Sequence, residues 1–177
     1  MDRGIVLIPG GLLGPYQPLL AFTWLAARDR GAEAYHVEWP DDRPTTVDGS
    51  VPWVPAHIAT VLDAFAVSRP VLAGKSLGTL AAGLAADRGL PAIWHTPLLT
   101  YGVVVDALRR ATAPYLLIGG TADPVWDGDL ARELTHRVVE IPDADHGMIV
   151  AGRPLARSAD VLGEVVTAIE GFLDTVW

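Results

Sequence analysis

Three short stretches carry residue types that can do chemistry together. The first is Gly74-Lys75-Ser76-Leu77-Gly78, a Gly-x-Ser-x-Gly pattern between an apolar run after Pro70 and the small-residue run Ala81-Ala82-Gly83-Leu84-Ala85-Ala86. A strand entering a helix through so tight a turn forces the serine into strained backbone angles and lifts its hydroxyl above the sheet edge. A serine hydroxyl is a weak nucleophile until a base lies within hydrogen-bond reach, and that base is usually a histidine oriented by a carboxylate. Asp123, in Gly119-Gly120-Thr121-Ala122-Asp123-Pro124, and His146, in Pro142-Asp143-Ala144-Asp145-His146-Gly147, offer the acid and the base in the order Ser, acid, His. Each directly follows a strand-like run, so all three fall at strand carboxyl ends.

Competing readings of these residues are weaker. Gly74-Lys75-Ser76 ends like a phosphate-binding loop, but that motif needs a glycine five residues before its Gly-Lys, where Arg69 stands. Asp123 could cap its own Asp-Pro turn. Asp127 reads as a helix cap, and Asp143 and Asp145 as turn residues. His36, His57 and His136 read as strand, helix and surface residues, and His95 as a strand end that could line a pocket. Lys75, the sole lysine against twelve arginines, reads as a surface or ion-paired residue; a sharper reading pairs it with a carboxylate to fix the turn. No His-Glu-x-x-His or similar spacing implies a metal, and no cofactor is implied.

The elements that must position these residues alternate. Strands are expected at 4–8, 34–39, 71–73, 90–95, 115–120 and 138–141. Helices are expected at 16–30, 54–67, 81–86, 103–112 and 127–135, with a last amphipathic helix capped by Ser158. The polar, proline-rich stretch 40–52 reads as a loop. Such alternation builds βαβ units and a parallel sheet covered on both faces, with ligands bound beyond the strands' carboxyl ends. The expectation is a single domain over 1–177: a three-layer αβα sandwich on about six mostly parallel strands.

Composition narrows the function classes. The 177 residues carry a formal net charge of −8, which argues against nucleic acid or an anionic membrane as partner. No apolar run reaches membrane-spanning length, and no secretory pattern opens the chain. Cysteine is absent, which excludes a thiol nucleophile and is compatible with a cytoplasmic location.

With the elbow, the Gly-Thr-x-Asp turn and the Asp-His-Gly turn in this order, the chain resembles the α/β-hydrolases. It is similar to their small lidless serine hydrolases, the group that includes dienelactone-hydrolase-like proteins. The resemblance implies Ser76 as nucleophile, Asp123 as acid and His146 as base. It implies an oxyanion hole from the N–H of Leu77 and, by position, of Gly11, with Leu12 the neighbouring alternative. Where the family commonly has His-Gly-x, this chain has Pro9-Gly10-Gly11. Dienelactone hydrolases themselves use cysteine, so their own activity is disfavoured. The segment Pro97 to Gly102, where many relatives insert a lid, is short, and the two antiparallel strands that usually begin the family sheet are missing. An open site for a small-molecule ester or thioester follows, and Leu12, Trp126 and Met148 are candidate pocket residues, with Trp39, Trp53 and Trp94 as further apolar walls. The competing class is a non-catalytic binding or scaffold protein on the same fold.

Overall fold

The computed structural model describes residues 2–12 and 14–177; Met1, and Leu13 in the turn expected after the first strand, lie outside them. Six strands form one sheet: β1 (Gly4–Ile8), β2 (Glu33–His36), β3 (Val71–Lys75), β4 (Ala92–His95), β5 (Tyr115–Gly120) and β6 (Val138–Ile141). Their spatial order is β2-β1-β3-β4-β5-β6 and every pairing is parallel. The helices are α1 (Pro18–Arg28), α2 (Val47–Ala64), α3 (Ala82–Arg88), α4 (Gly102–Arg110), α5 (Gly128–Leu134) and α6 (Leu155–Val176).

Side-chain alternation along the strands divides the core in two. Val6, Ile8, Leu72, Trp94 and Leu117 face α2 to α5, meeting Val54, Ile58, Ala85, Val104 and Ala131. Ile5, Leu7, Ala73, Ile93 and Ile118 face α1 and α6, meeting Leu20, Ala27, Val161, Val165 and Ile169. Both faces of the central strands are buried, which is why these strands read as continuous apolar runs. The result is the three-layer αβα arrangement.

Chain order reverses between β1 and β3: the chain steps outward from β1 to β2, then crosses to β3 and continues to β6. Such a reversal opens a crevice beyond the carboxyl ends of the two strands. The turn after β1 and the turn after β3 share it.

Two helix starts differ most from expectation, while strand β2 ends at His36 rather than at 39. Helix α2 begins at Val47, inside the stretch read as loop; Thr46 caps it by accepting the Gly49 N–H at 3.1 Å. Pro52 and Pro55 lie within this helix and made its first turns look like loop. Helix α6 begins at Leu155, a turn before the expected cap. Ser158 is buried inside the helix, where its hydroxyl accepts the Val150 N–H at 3.1 Å.

Candidate active site

Strand β3 ends at Lys75, and Ser76 opens a 3₁₀ stretch, Ser76–Ala81, that leads into α3. Ser76 has φ +50°, a left-handed conformation that costs a non-glycine residue about 1–3 kcal/mol. The flanking glycines make the turn possible. A Cβ on Gly74 would fall 2.6 Å from the Trp94 ring, and one on Gly78 would fall 2.5 Å from the Ile8 carbonyl oxygen. Thr79 ties the turn down: its hydroxyl donates to the Ser76 carbonyl at 2.7 Å and accepts the Leu98 N–H at 3.3 Å.

The acid arrives from the turn after β5. Asp123 is 3 % exposed. Its Oδ1 accepts the Val125 N–H at 3.0 Å, so it does cap its own turn, while Oδ2 stands 2.7 Å from His146 Nδ1. The base arrives from the turn after β6, folded around Asp145, whose Oδ1 accepts the N–H groups of Gly147 and Ile149. Asp143 in the same turn donates its N–H to the Thr121 hydroxyl at 2.8 Å. His146 Nε2 lies 2.8 Å from Ser76 Oγ. A carboxylate can only accept, so Nδ1 carries the hydrogen and, in the neutral ring, Nε2 is free to accept from the serine. The structure thus brings Ser76, His146 and Asp123 into one relay.

The turn after β1 lies over the elbow. A Cβ built on Gly10 would be 3.5 Å from the Ser76 Cβ, and one on Gly11 would be 3.7 Å from Leu77 Cδ2. The N–H groups of Gly11 and Leu12 meet no acceptor among the described residues. Leu77 is the second residue of its 3₁₀ stretch, ahead of the first intrahelical bonds. Residues Thr96 to Tyr101 are all that separate β4 from α4, so no lid segment is inserted there.

Two cavities lie beside turns of this centre, and neither is lined by Ser76, Asp123 or His146. One, of about 450 Å³, opens beside Gly11 and Leu12 and is walled by Tyr16, Trp39 and Arg43. The other, of about 240 Å³, is mostly apolar and opens beside Gly147, walled by Leu19, Met148, Leu155 and Leu162. Leu12 and Met148 therefore line cavities. Trp126 lines neither: its ring packs over Gly119 and its indole N–H donates to Glu140 at 2.7 Å. Trp94 is core, buried beneath Gly74, and Trp53 stacks on His57 at 4.8 Å along α2.

Two further expectations change. Lys75 is not a surface residue; it is 7 % exposed and donates from Nζ to the His146 carbonyl at 3.3 Å. Burial lowers its pKa, against the opposing pull of Asp123 and Asp145. None of the ion pairs within 4 Å among the described residues involves it. His95 does not reach a pocket. It is fully buried, pairs in register with Lys75 across β3 and β4, and holds Thr23 Oγ1 at 3.0 Å. Burial first, and the Lys75 charge second, push its pKa down to about 3. Asp127 is a helix cap as read, accepting the Leu130 N–H. No group of three or more histidine, cysteine or acidic residues is arranged for a metal among the described residues.

The sequence offered Trp39 only as an apolar wall, which it is, and did not point to its bond or to Arg43. The Trp39 indole N–H donates to the Gly10 carbonyl at 2.9 Å, and the Arg43 guanidinium donates to the Gly11 carbonyl at 2.8 Å. Both sit in the connection between β2 and α2, and bonds to backbone carbonyls leave no motif to read.

No protein-family model and no curated protein sequence matches the chain. Solved structures do. A protein of the α/β-hydrolase superfamily from Xanthomonas campestris pv. campestris superposes with a TM-score of 0.68 at 18% identity, covering 99% of both chains. XC6422 from Xanthomonas campestris, an α/β serine hydrolase without a lid, gives 0.56 at 19% identity, over 97% of this chain and 82% of its own. Est1E from Butyrivibrio proteoclasticus, solved with ferulic acid bound, gives 0.68 at 15% identity, over 98% and 88%. Sheet order, the elbow after β3 and these superpositions agree: the chain has the α/β-hydrolase fold, in its small lidless form.

Proposed function

We propose that this protein is a serine hydrolase that cleaves small esters or thioesters through an acyl-enzyme. The observation that carries the reading is the relay of 2.8 Å from Ser76 Oγ to His146 Nε2 and 2.7 Å from His146 Nδ1 to Asp123. A buried carboxylate, an imidazole and a serine hydroxyl in line serve no packing need that apolar residues would not serve better. In the reaction, His146 Nε2 takes the Ser76 proton as Oγ attacks the carbonyl carbon. The tetrahedral oxyanion is held by the N–H of Leu77 and by the β1–α1 turn through Gly11. Collapse breaks the bond to the leaving alcohol or thiol, which receives the proton from His146. Water, deprotonated by the same nitrogen, then attacks the acyl-enzyme and releases the acid and free Ser76. Asp123 holds the ring in the tautomer this requires and offsets the charge it gains.

The neighbours support the class of reaction: XC6422 is a serine hydrolase, and Est1E holds an aromatic carboxylic acid on the same fold. The test is intact-mass labelling with a fluorophosphonate. Wild type is expected to gain one adduct and Ser76→Ala none. A folded wild type that gains none overturns the reading in favour of a binding protein.

A further inference from the structure

We infer that Trp39 and Arg43 are positioning residues that aim the β1–α1 turn at the reacting carbonyl. The inference rests on the serine-hydrolase reading. An oxyanion hole works because its donors are already aimed when charge develops. A Gly-Gly segment has the least intrinsic reason of any dipeptide to hold one orientation. Pro9-Gly10-Gly11 therefore needs anchoring from elsewhere, and the β2–α2 connection supplies it at two successive peptide groups.

Among the described residues every peptide is trans. In a trans peptide the carbonyl and the following N–H point in opposite directions. Fixing the Gly10 carbonyl against the Trp39 indole therefore aims the Gly11 N–H away from Trp39. Fixing the Gly11 carbonyl against the Arg43 guanidinium likewise aims the Leu12 N–H. Neither of those N–H groups meets an acceptor among the described residues. The guanidinium also draws electron density through the Gly11–Leu12 peptide, strengthening Leu12 as a donor.

The anchors are themselves held. Trp39 makes an edge contact with Trp53 at 5.7 Å, and Trp53 and His57 belong to α2. Arg43 donates a second bond to the Pro44 carbonyl at 2.7 Å, and its own N–H closes a turn on Pro40. Helix α2 packs on the elbow side of the sheet, so the turn and the serine are referred to one rigid element.

The experiment measures p-nitrophenyl acetate hydrolysis and the fluorophosphonate labelling rate for wild type, Trp39→Phe, Arg43→Ala and Arg43→Lys. Trp39→Phe keeps the ring packing and removes one donor. Loss of either anchor is expected to lower kcat and the labelling rate about tenfold, with KM within about twofold and an unchanged melting temperature. Arg43→Lys, which can still donate, should recover part of the loss. A merely structural role would lower stability without this split between kcat and KM. Both variants within twofold of wild-type kcat overturn the inference while the hydrolase reading stands. A wild type with no Ser76-dependent turnover overturns both.

Discussion

His95 shows how far a single residue's setting can depart from its place in the chain. It ends a strand on the rim that carries the candidate site, yet the ring lies wholly inside, between Thr23 and the Lys75 charge. Its pKa is about 3 in the fold against an ordinary 6.5. Below pH 6.5 the unfolded chain takes up a proton that the folded chain refuses until about pH 3. The stability His95 contributes is therefore complete above pH 6.5 and is lost progressively as the pH falls through that window. The urea midpoint is expected to drop between pH 7 and pH 4, and His95→Gln, which can still bond to Thr23, is expected to flatten that drop. The measurement is a pair of urea titrations at each pH. At this scale the sequence was legible where a residue follows a strand in a turn of recognisable pattern. Ser76, Asp123 and His146 stand in turns that match their chemistry. Lys75 and His95 were not legible, because polar residues at strand ends look solvent-bound until both sheet faces are seen to be covered.

Among the elements, the elbow has the least room for change. Gly78 lies against the Ile8 backbone, which cannot move aside as a flexible side chain would. Gly78→Ala is expected to destabilise the fold by about 2 kcal/mol or more, at the upper part of the range for overpacked sites. Gly163, inside α6, would present its Cβ to open space, so Gly163→Ala is expected to stabilise by about 0.5–1 kcal/mol. Thermal denaturation of the two variants checks both signs. The strands were the easiest elements to read, since β1 and β5 are unbroken apolar runs beside a proline and β3 opens with one after Pro70. Helix α2 was the hardest. Val47 to Val51 carries aspartate, glycine and serine, and two prolines follow, so local propensity favours a loop. Tertiary burial of Ser50, Val54 and Ile58 against the sheet overrides it.

At the scale of the whole molecule, the parallel run of all six strands gathers the turns that follow β1, β3, β5 and β6 on one rim. The connection from β4 to α4 is too short to cover that rim. On the proposed function, a site without a cover has no closed state for a lipid surface to open. Turnover of tributyrin is therefore expected to saturate smoothly through the ester's solubility limit, with no jump as droplets form, which a pH-stat titration across that limit would record. The general layout was readable because alternating strand and helix patterns admit few topologies. The anchoring of the Gly10-Gly11 turn was not, because it depends on which connection the fold lays beside it.

The burial of Lys75 has a consequence for handling the protein. The chain's one side-chain amine is sealed beneath the elbow and bonded to the loop that carries His146. Amine-directed reagents therefore have no lysine to reach while the fold is closed. Acylation at Lys75 proceeds through local opening alone, so its rate reads out how often the rim around the candidate site comes apart. The protein carries its own chemical clock for the integrity of its centre.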